Sequence, residues 1–197
     1  MRATSVALGH AARNAHAARD RAMTTITSGD GGDHDHRVAT PIGLAALAGM
    51  GFSGVDLEPL KRELRARLQA HPDDAAALMD LSTLLQLTGD RASGLAHQAE
   101  ALRHQQLYLR PPATRSHAGM LVLAFVAPGD LMANTPVEFL LEESEATLDL
   151  YYVVPGRPVS QLLPDHDVAF VAIGASDENL PILQQLARSP AEKPRYS

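Results

Sequence analysis

The clearest rhythm of apolar and polar positions begins at Asp56. Leu57, Leu60, Leu64 and Leu68 recur at steps of three and four, which places them on one face of a helix. Asp56 can cap its start, Pro59 falls in the first turn, and His71-Pro72 ends it. Glu58 with Arg62, and Glu63 with Arg67, stand four apart on the solvent side, a favourable spacing for ion pairs. A second helix is expected from about Asp73 to Thr88, with Leu78, Leu81 and Leu85 as its stripe and Ala77 and Leu84 beside them. Gly89 suits the left-handed residue after a helix end. Asp90 then caps a third helix, Arg91 to about Leu109, whose inner face would carry Leu95, Ala99, Leu102 and Gln106. Pro111-Pro112 stops it, and the stretch to Gly119 reads as a linker.

The second half changes period. Met120 to Val126 is an apolar run bounded by turn residues, the pattern of a buried strand. Pro128-Gly129-Asp130 turns the chain. Thr135-Pro136-Val137-Glu138 then opens a helix to about Glu143: Thr135 caps, Pro136 takes the first helical position and Glu138 reaches back. Thr147 to Val154 alternates as a strand, Pro155 to Asp165 reads as a loop, and Asp167 to Ile173 is a third strand, apolar after its first residue. Gly174-Ala175-Ser176 leads into a last helix, Asp177 to about Arg188, capped by Ser176. The order β-α-β-β-α predicts part of an open α/β sheet. Continuous apolar runs place the first and third strands at covered, central positions, and the alternating second strand at an edge. The fold class is therefore α+β: a helical segment followed by a small three-stranded Rossmann-like α/β unit with an open edge, which invites self-association.

Ahead of these elements, residues 1–54 are expected to be a disordered N-terminal segment. Ser28 to Arg37 reads Ser-Gly-Asp-Gly-Gly-Asp-His-Asp-His-Arg and has almost nothing to bury. The first 22 residues are rich in Ala, Arg and His, like a transit peptide in composition; an upstream start codon, with Met23 the true first residue, is the duller reading. The expected organisation is then 55–112 for the helical segment, 119–188 for the α/β unit and 189–197 for a polar tail.

Composition narrows the function. A net charge of −6 argues against a nucleic-acid binder. The absence of cysteine excludes disulfides, thiolate metal sites and thiol catalysis. The most apolar early run, Val38 to Phe52, is too short for a bilayer, which needs about 20 residues. A cytoplasmic protein without membrane or nucleic-acid partners is expected.

Two resemblances emerge from particular residues. Residues 75–108 resemble one tetratricopeptide repeat (TPR): Leu78, Leu81, Ser82 and Leu85 match its large and small positions, and Gly89-Asp90, Gly94 and Ala101 fit its turn and small sites. Gln98 departs from an expected large apolar ring and Gln106 from an expected proline, while Pro72 fits the closing proline of a preceding repeat. Solenoids need about three repeats for stability, so these helices must lean on something else. Met120 to Arg188 resembles the N-terminal α/β subdomain preceding the catalytic part of bacterial proteins that combine tetratricopeptide repeats with an ATP-grasp ligase. The resembling residues are Phe125-Val126-Ala127-Pro128-Gly129-Asp130, Ala133-Asn134-Thr135-Pro136-Val137-Glu138-Phe139-Leu140, Leu163-Pro164-Asp165-His166-Asp167-Val168 and Ala175-Ser176-Asp177-Glu178-Asn179. Members of that class couple ATP to ligation of a carboxylate with an amine or similar nucleophile. Their ATP-binding lysines and magnesium-binding acids lie downstream of this subdomain. The resemblance thus implies an N-terminal piece without catalytic residues, with ATP and magnesium belonging to the full-length family and no cofactor held here.

Candidate chemistry is sparse. Asp33-His34-Asp35-His36 carries metal-ligand types, but a preformed site needs further fixed ligands, and a polar tail is the plainer reading. His97, His104, His117 and His166 are scattered, and no Ser/His/Asp triad can be assembled. No Gly-rich phosphate loop is present. The turns after the first and third strands offer the best site: if those strands are parallel neighbours, Asn134, Thr135 and Ser176 face a common crevice where helix N-termini point at an anion. The plainer reading makes Thr135 and Ser176 caps only. Three functions follow: a non-catalytic N-terminal region of an ATP-grasp-type ligase that contributes substrate or partner contacts, a freestanding TPR-type module for a protein or peptide partner, or a small phosphate-ligand-binding protein.

Overall fold

The computed structural model describes residues 40–109, 119–142, 144–160 and 162–189. The expectations for residues 1–39, including Asp33 to His36 and the alternative start at Met23, lie outside the described residues, as do those for Pro111-Pro112 and for the tail from residue 190 onward.

Regular structure starts before Asp56, which corrects the expectation of disorder over residues 40–54. Leu44–Phe52 forms α1, with Ala45, Leu47, Ala48 and Met50 buried. This run is short and rich in glycine; its helix is held by packing, not by propensity. Then come α2 (Glu58–Ala70), α3 (Ala75–Leu87) and α4 (Arg91–His104). The α2 stripe behaves as its spacing requires: Leu64 is buried, and Leu57, Leu60 and Leu68 pack around a cluster formed with Leu47, Met50, Ala77, Leu81, Leu84 and Leu85. Full burial of a leucine such as Leu64 contributes about 2 kcal/mol. The side-chain oxygens of Asp74 and Asp90 accept the Ala77 and Ser93 amides and cap α3 and α4. Gly89 takes φ 94° in the turn between them. The surface ion pairs differ from those expected: Glu58 pairs with Lys61, and Arg67 Nε donates to Asp74 at 2.5 Å, tying the end of α2 to the start of α3.

α4 is shorter than its apolar pattern implies, because the chain leaves it at His104 to add a strand. β1 (Leu107–Tyr108), β2 (Leu121–Val126), β3 (Thr147–Tyr152) and β4 (Val168–Val171) form one sheet in the order β1-β3-β2-β4. β2 runs parallel to both β3 and β4, and β1 pairs antiparallel with β3. Four strands, not three, are thus present among the described residues, and β3 is internal. The edge beside β2 is β4, whose residues are all exposed. The expected central and edge positions of those two strands are therefore exchanged.

Two layers of helix cover the sheet. α6 (Leu180–Arg188) puts Ile182, Leu183 and Leu186 against Leu123, Phe125, Tyr151 and Val153. The short α5 (Val137–Leu141) packs on the opposite face with Ala124, Val126, Leu148 and Ala172. On that face too, Leu150, Tyr152 and Tyr108 meet Ala75, Leu78 and Met79 of α3 and Ala101 and Leu102 of α4. The helical segment therefore does lean on something: the sheet.

The two departures from the repeat pattern make this junction. Gln98 is buried and forms a reciprocal pair with the Gly129 backbone, Oε1 accepting N–H at 2.8 Å and Nε2 donating to C=O at 3.0 Å. Gln106 Nε2 donates to the Tyr152 carbonyl at 2.9 Å, and the Gln106 carbonyl accepts the Tyr152 amide at 2.8 Å. Arg157 Nη1 donates to the Leu102 carbonyl at the end of α4. The inner face of α4 turns accordingly, to Gly94, Gln98, Ala101 and Leu102, leaving Ala99 exposed.

Candidate functional site

The turns after β2 and β4 do meet, as the parallel pairing of those strands requires. The Thr135 amide donates to the Ala172 carbonyl at 2.6 Å, and Asn134 forms an antiparallel bridge with Ile173. Their side chains are already employed within the fold. The Asn134 amide group brackets Ala127, accepting its N–H at 2.7 Å and donating to its C=O at 2.8 Å. Ser176 Oγ accepts the Asn179 amide at 3.2 Å, and Asn179 Nδ2 donates to the carbonyls of Gly174 and Ala133. Thr135 does not cap α5, whose N-cap position is Pro136 and has no side-chain bond. The β2–α5 loop thus fills the crevice that was expected to hold an anion. α6 begins only at Leu180, so Ser176 organises a turn ahead of the helix.

Open space lies instead on the other side of that loop, in the seam between the sheet and the helical layer. A cavity of about 80 Å³ is lined by Asp80 and Gln86 of α3, Tyr108 of β1, Tyr152 of β3, Glu138 of α5, and Asp130, Asn134 and Thr135 of the β2–α5 loop. It sits at the C-terminal ends of β2 and β3, the end of a parallel sheet at which ligands bind. Thr135 and Pro136 are exposed and form part of its rim.

Asp80 is the centre of this site. Helix α3 reads AAALMDLSTLLQL, so Asp80 is its only charged residue, and it is buried. Its Oδ2 accepts the Ile42 amide at 2.9 Å and its Oδ1 the Gly43 amide at 3.2 Å. Glu138 Oε2 accepts the Ala45 amide at 3.1 Å. Two carboxylates from distant parts of the chain thus satisfy the amides that enter α1, where a helix leaves its first N–H groups without partners and favours negative charge. Glu138, expected to close a capping box with Thr135, caps a different helix. Gly43 permits the arrangement: its φ is 94°, and a Cβ there would lie 2.7 Å from Glu138 Oε2.

Burial pushes the Asp80 carboxyl up to about 7; the Ile42 and Gly43 amides pull it down less strongly, and Glu138 adds to the rise. Tyr108 and Tyr152 lie edge to face with ring centroids 5.7 Å apart. Both phenols are raised above their ordinary range, chiefly by burial. Asp130, by contrast, is held below the usual carboxylate range by its bonds from Arg91. Among the described residues, the buried side-chain atoms without a hydrogen-bond partner are Gln86 Oε1, Tyr108 Oη and Thr147 Oγ1. The first two belong to residues that line this cavity.

Periodicity alone passes over these residues, because each sits inside an element that its apolar neighbours define. The lone acid in α3 was the available signal. The structure places no group of three or more His, Asp or Glu among the described residues so as to hold a metal ion, and no described helix is long and apolar enough to cross a membrane. Compared with protein-family models, curated proteins and solved structures, the chain matches none.

Proposed function

We propose that this chain is a non-catalytic contact module, the N-terminal portion of a TPR/ATP-grasp ligase-like protein, in which TPR-like helices and a Rossmann-like unit present a binding site for a substrate or partner group. The observation that supports this reading is the seam cavity: it opens at the C-terminal ends of β2 and β3 and is walled by three acids, two tyrosines and amide side chains. A site of that make-up binds by shape and hydrogen bonding. The reading of a phosphate-ligand protein loses ground, because Asn134 and Ser176 spend their polar atoms on backbone partners.

The contact reading predicts that purified protein neither hydrolyses ATP nor changes its melting temperature with magnesium-ATP. It also predicts that the DNA beside its reading frame encodes an ATP-grasp core, in frame or after a frameshift, and that this core co-purifies with the chain on co-expression. Turnover of ATP by the chain alone would overturn it.

A further inference from the structure

Helix α1 does not hold itself in place. It has nine residues, with no acid in its first turn, no base in its last and no side-chain cap. An isolated helix shorter than about 12–15 residues is marginal in water. Its stability is supplied from outside. Leu47 and Met50 sit among Leu64 of α2 and Leu81, Leu84 and Leu85 of α3, and Asp80 of α3 and Glu138 of α5 hold the amides at its entrance. A glycine with left-handed φ stands on either side, Gly43 at 94° and Gly54 at 76°. Beyond its chain neighbours, no atom lies within 4 Å of the place a Cβ would take at Gly54, which leaves that corner room to turn. Helix α3 differs on every count: it has 13 residues, most of them buried, and Asp74 caps it. An element held only by its neighbours is the kind that opens ahead of the core.

We propose that α1 is a proton-sensitive strap, which swings away from α2 and α3 as one unit about Gly54 and so uncovers the apolar groove in which it sits. Asp80 is the sensor. Pro41, Gly43 and Leu44 wall the seam cavity beside its carboxyl; lifting them admits water and withdraws both amides. Burial raises the Asp80 carboxyl to about 7 in the closed position, the two amides lower it less, and an opened Asp80 returns towards the ordinary 3.8. Residues 40–54 carry no charged or titratable side chain, so the groups around Asp80 belong to other elements. Glu138 of α5 raises it and Arg67 of α2 lowers it. Asp130 of the β2–α5 loop is engaged by Arg91, and the Tyr108 and Tyr152 phenols, raised by burial, stay neutral. The closed position therefore binds a proton more tightly than the open one. As pH rises through that interval, the open position gains by up to about tenfold per pH unit, and gains nothing further above it. The residues uncovered, Leu64, Leu81, Leu84 and Leu85, form the kind of surface on which an amphipathic helix packs, and α1 is its resident occupant.

The test is amide hydrogen exchange of the full chain, followed by NMR from about pH 5 to about pH 8, with each rate divided by the intrinsic rate at that pH. The Leu47, Ala48 and Met50 amides should be at least about tenfold less protected than those of Leu81 and Leu84, and dilute urea should speed exchange far less in α1 than in α3. Protection of α1 should fall between about pH 5 and about pH 7 by at least tenfold and then level off. Asp80→Asn removes the titrating group and should abolish that fall. Glu138→Gln keeps an acceptor for the Ala45 amide while removing a charge that raises Asp80, so the fall should end at lower pH; it serves if the Asp80 variant does not fold. Equal protection in α1 and α3 would show that α1 opens only with the whole molecule, and would overturn the strap. Separate opening that ignores pH, or a fall that Asp80→Asn retains or whose end point Glu138→Gln leaves unmoved, would overturn the proton control.

Discussion

At the scale of single residues, Asp80 ties stability to pH. Its carboxyl is raised from 3.8 to about 7 in the folded protein. Between those values the folded state keeps a proton that the unfolded chain has released, so stability falls as pH climbs through that interval and levels off above it. The slope from this group is on the order of 1 kcal/mol per pH unit. Urea unfolding at about pH 5 and about pH 8 should show that loss in the native sequence, and Asp80→Asn should lack it; equal pH slopes in the two would contradict the assignment. Asp80→Asn should also lower stability at every pH, because one carboxamide oxygen replaces two acceptors for the Ile42 and Gly43 amides. Gly43→Ala tests the same corner from the backbone side. A left-handed φ and an oxygen 2.7 Å from the new Cβ should cost about 1–2 kcal/mol, seen as a lower melting temperature and faster amide exchange at Ala45.

At the scale of elements, periodicity carried much of the layout. The helices α2, α3 and α4 and the apolar strand β2 lie where spacing of three to four, or an unbroken apolar run, puts them. The elements it missed are those whose cause lies elsewhere in the chain. β1 has two residues, too few for a pattern, and exists because Leu107 and Tyr108 pair with Tyr151 and Leu150. α1 is glycine-rich and is held by Asp80 and Glu138. Strand position failed for the same reason: Thr147 and Asp149 alternate with apolar neighbours yet are buried, whereas Val168 and Phe170 are exposed. Which strand is flanked on both sides depends on long-range pairing, and local apolarity does not encode it. Gln98 and Gln106, in contrast, stand out against the repeat pattern, and both hold the sheet. Gln98→Leu would introduce the apolar residue that a tetratricopeptide repeat prefers and leave the Gly129 amide and carbonyl without partners. We expect a loss of about 2 kcal/mol and faster hydrogen exchange at Gly129; unchanged stability would show that the glutamine is incidental.

At the scale of the molecule, the sheet ends in two different strands, the two-residue β1 and the exposed β4. β1 pairs with β3, and its Tyr108 packs on α3 and α4, whereas β4 ends the sheet on the other side with no strand beyond it among the described residues. Proteins usually guard such an edge with charge, proline or a bulge. Val168-Ala169-Phe170-Val171 has none of these, and its three large side chains are 40–48% exposed. A second copy would bring an edge of the same length, the same apolar character and the same need. Two β4 strands related by a two-fold axis would pair antiparallel and extend the four-stranded sheet into one of twice that width, the self-complementary contact that closes without forming fibres. Sedimentation velocity over a range of concentrations should therefore show a monomer giving way to a dimer. Phe170→Lys, which places a charge on the pairing edge, should hold the protein monomeric with its melting temperature nearly unchanged. A single monomeric species at every concentration, or a Phe170→Lys variant that dimerises as the native chain does, would show that β4 is an edge this protein leaves bare.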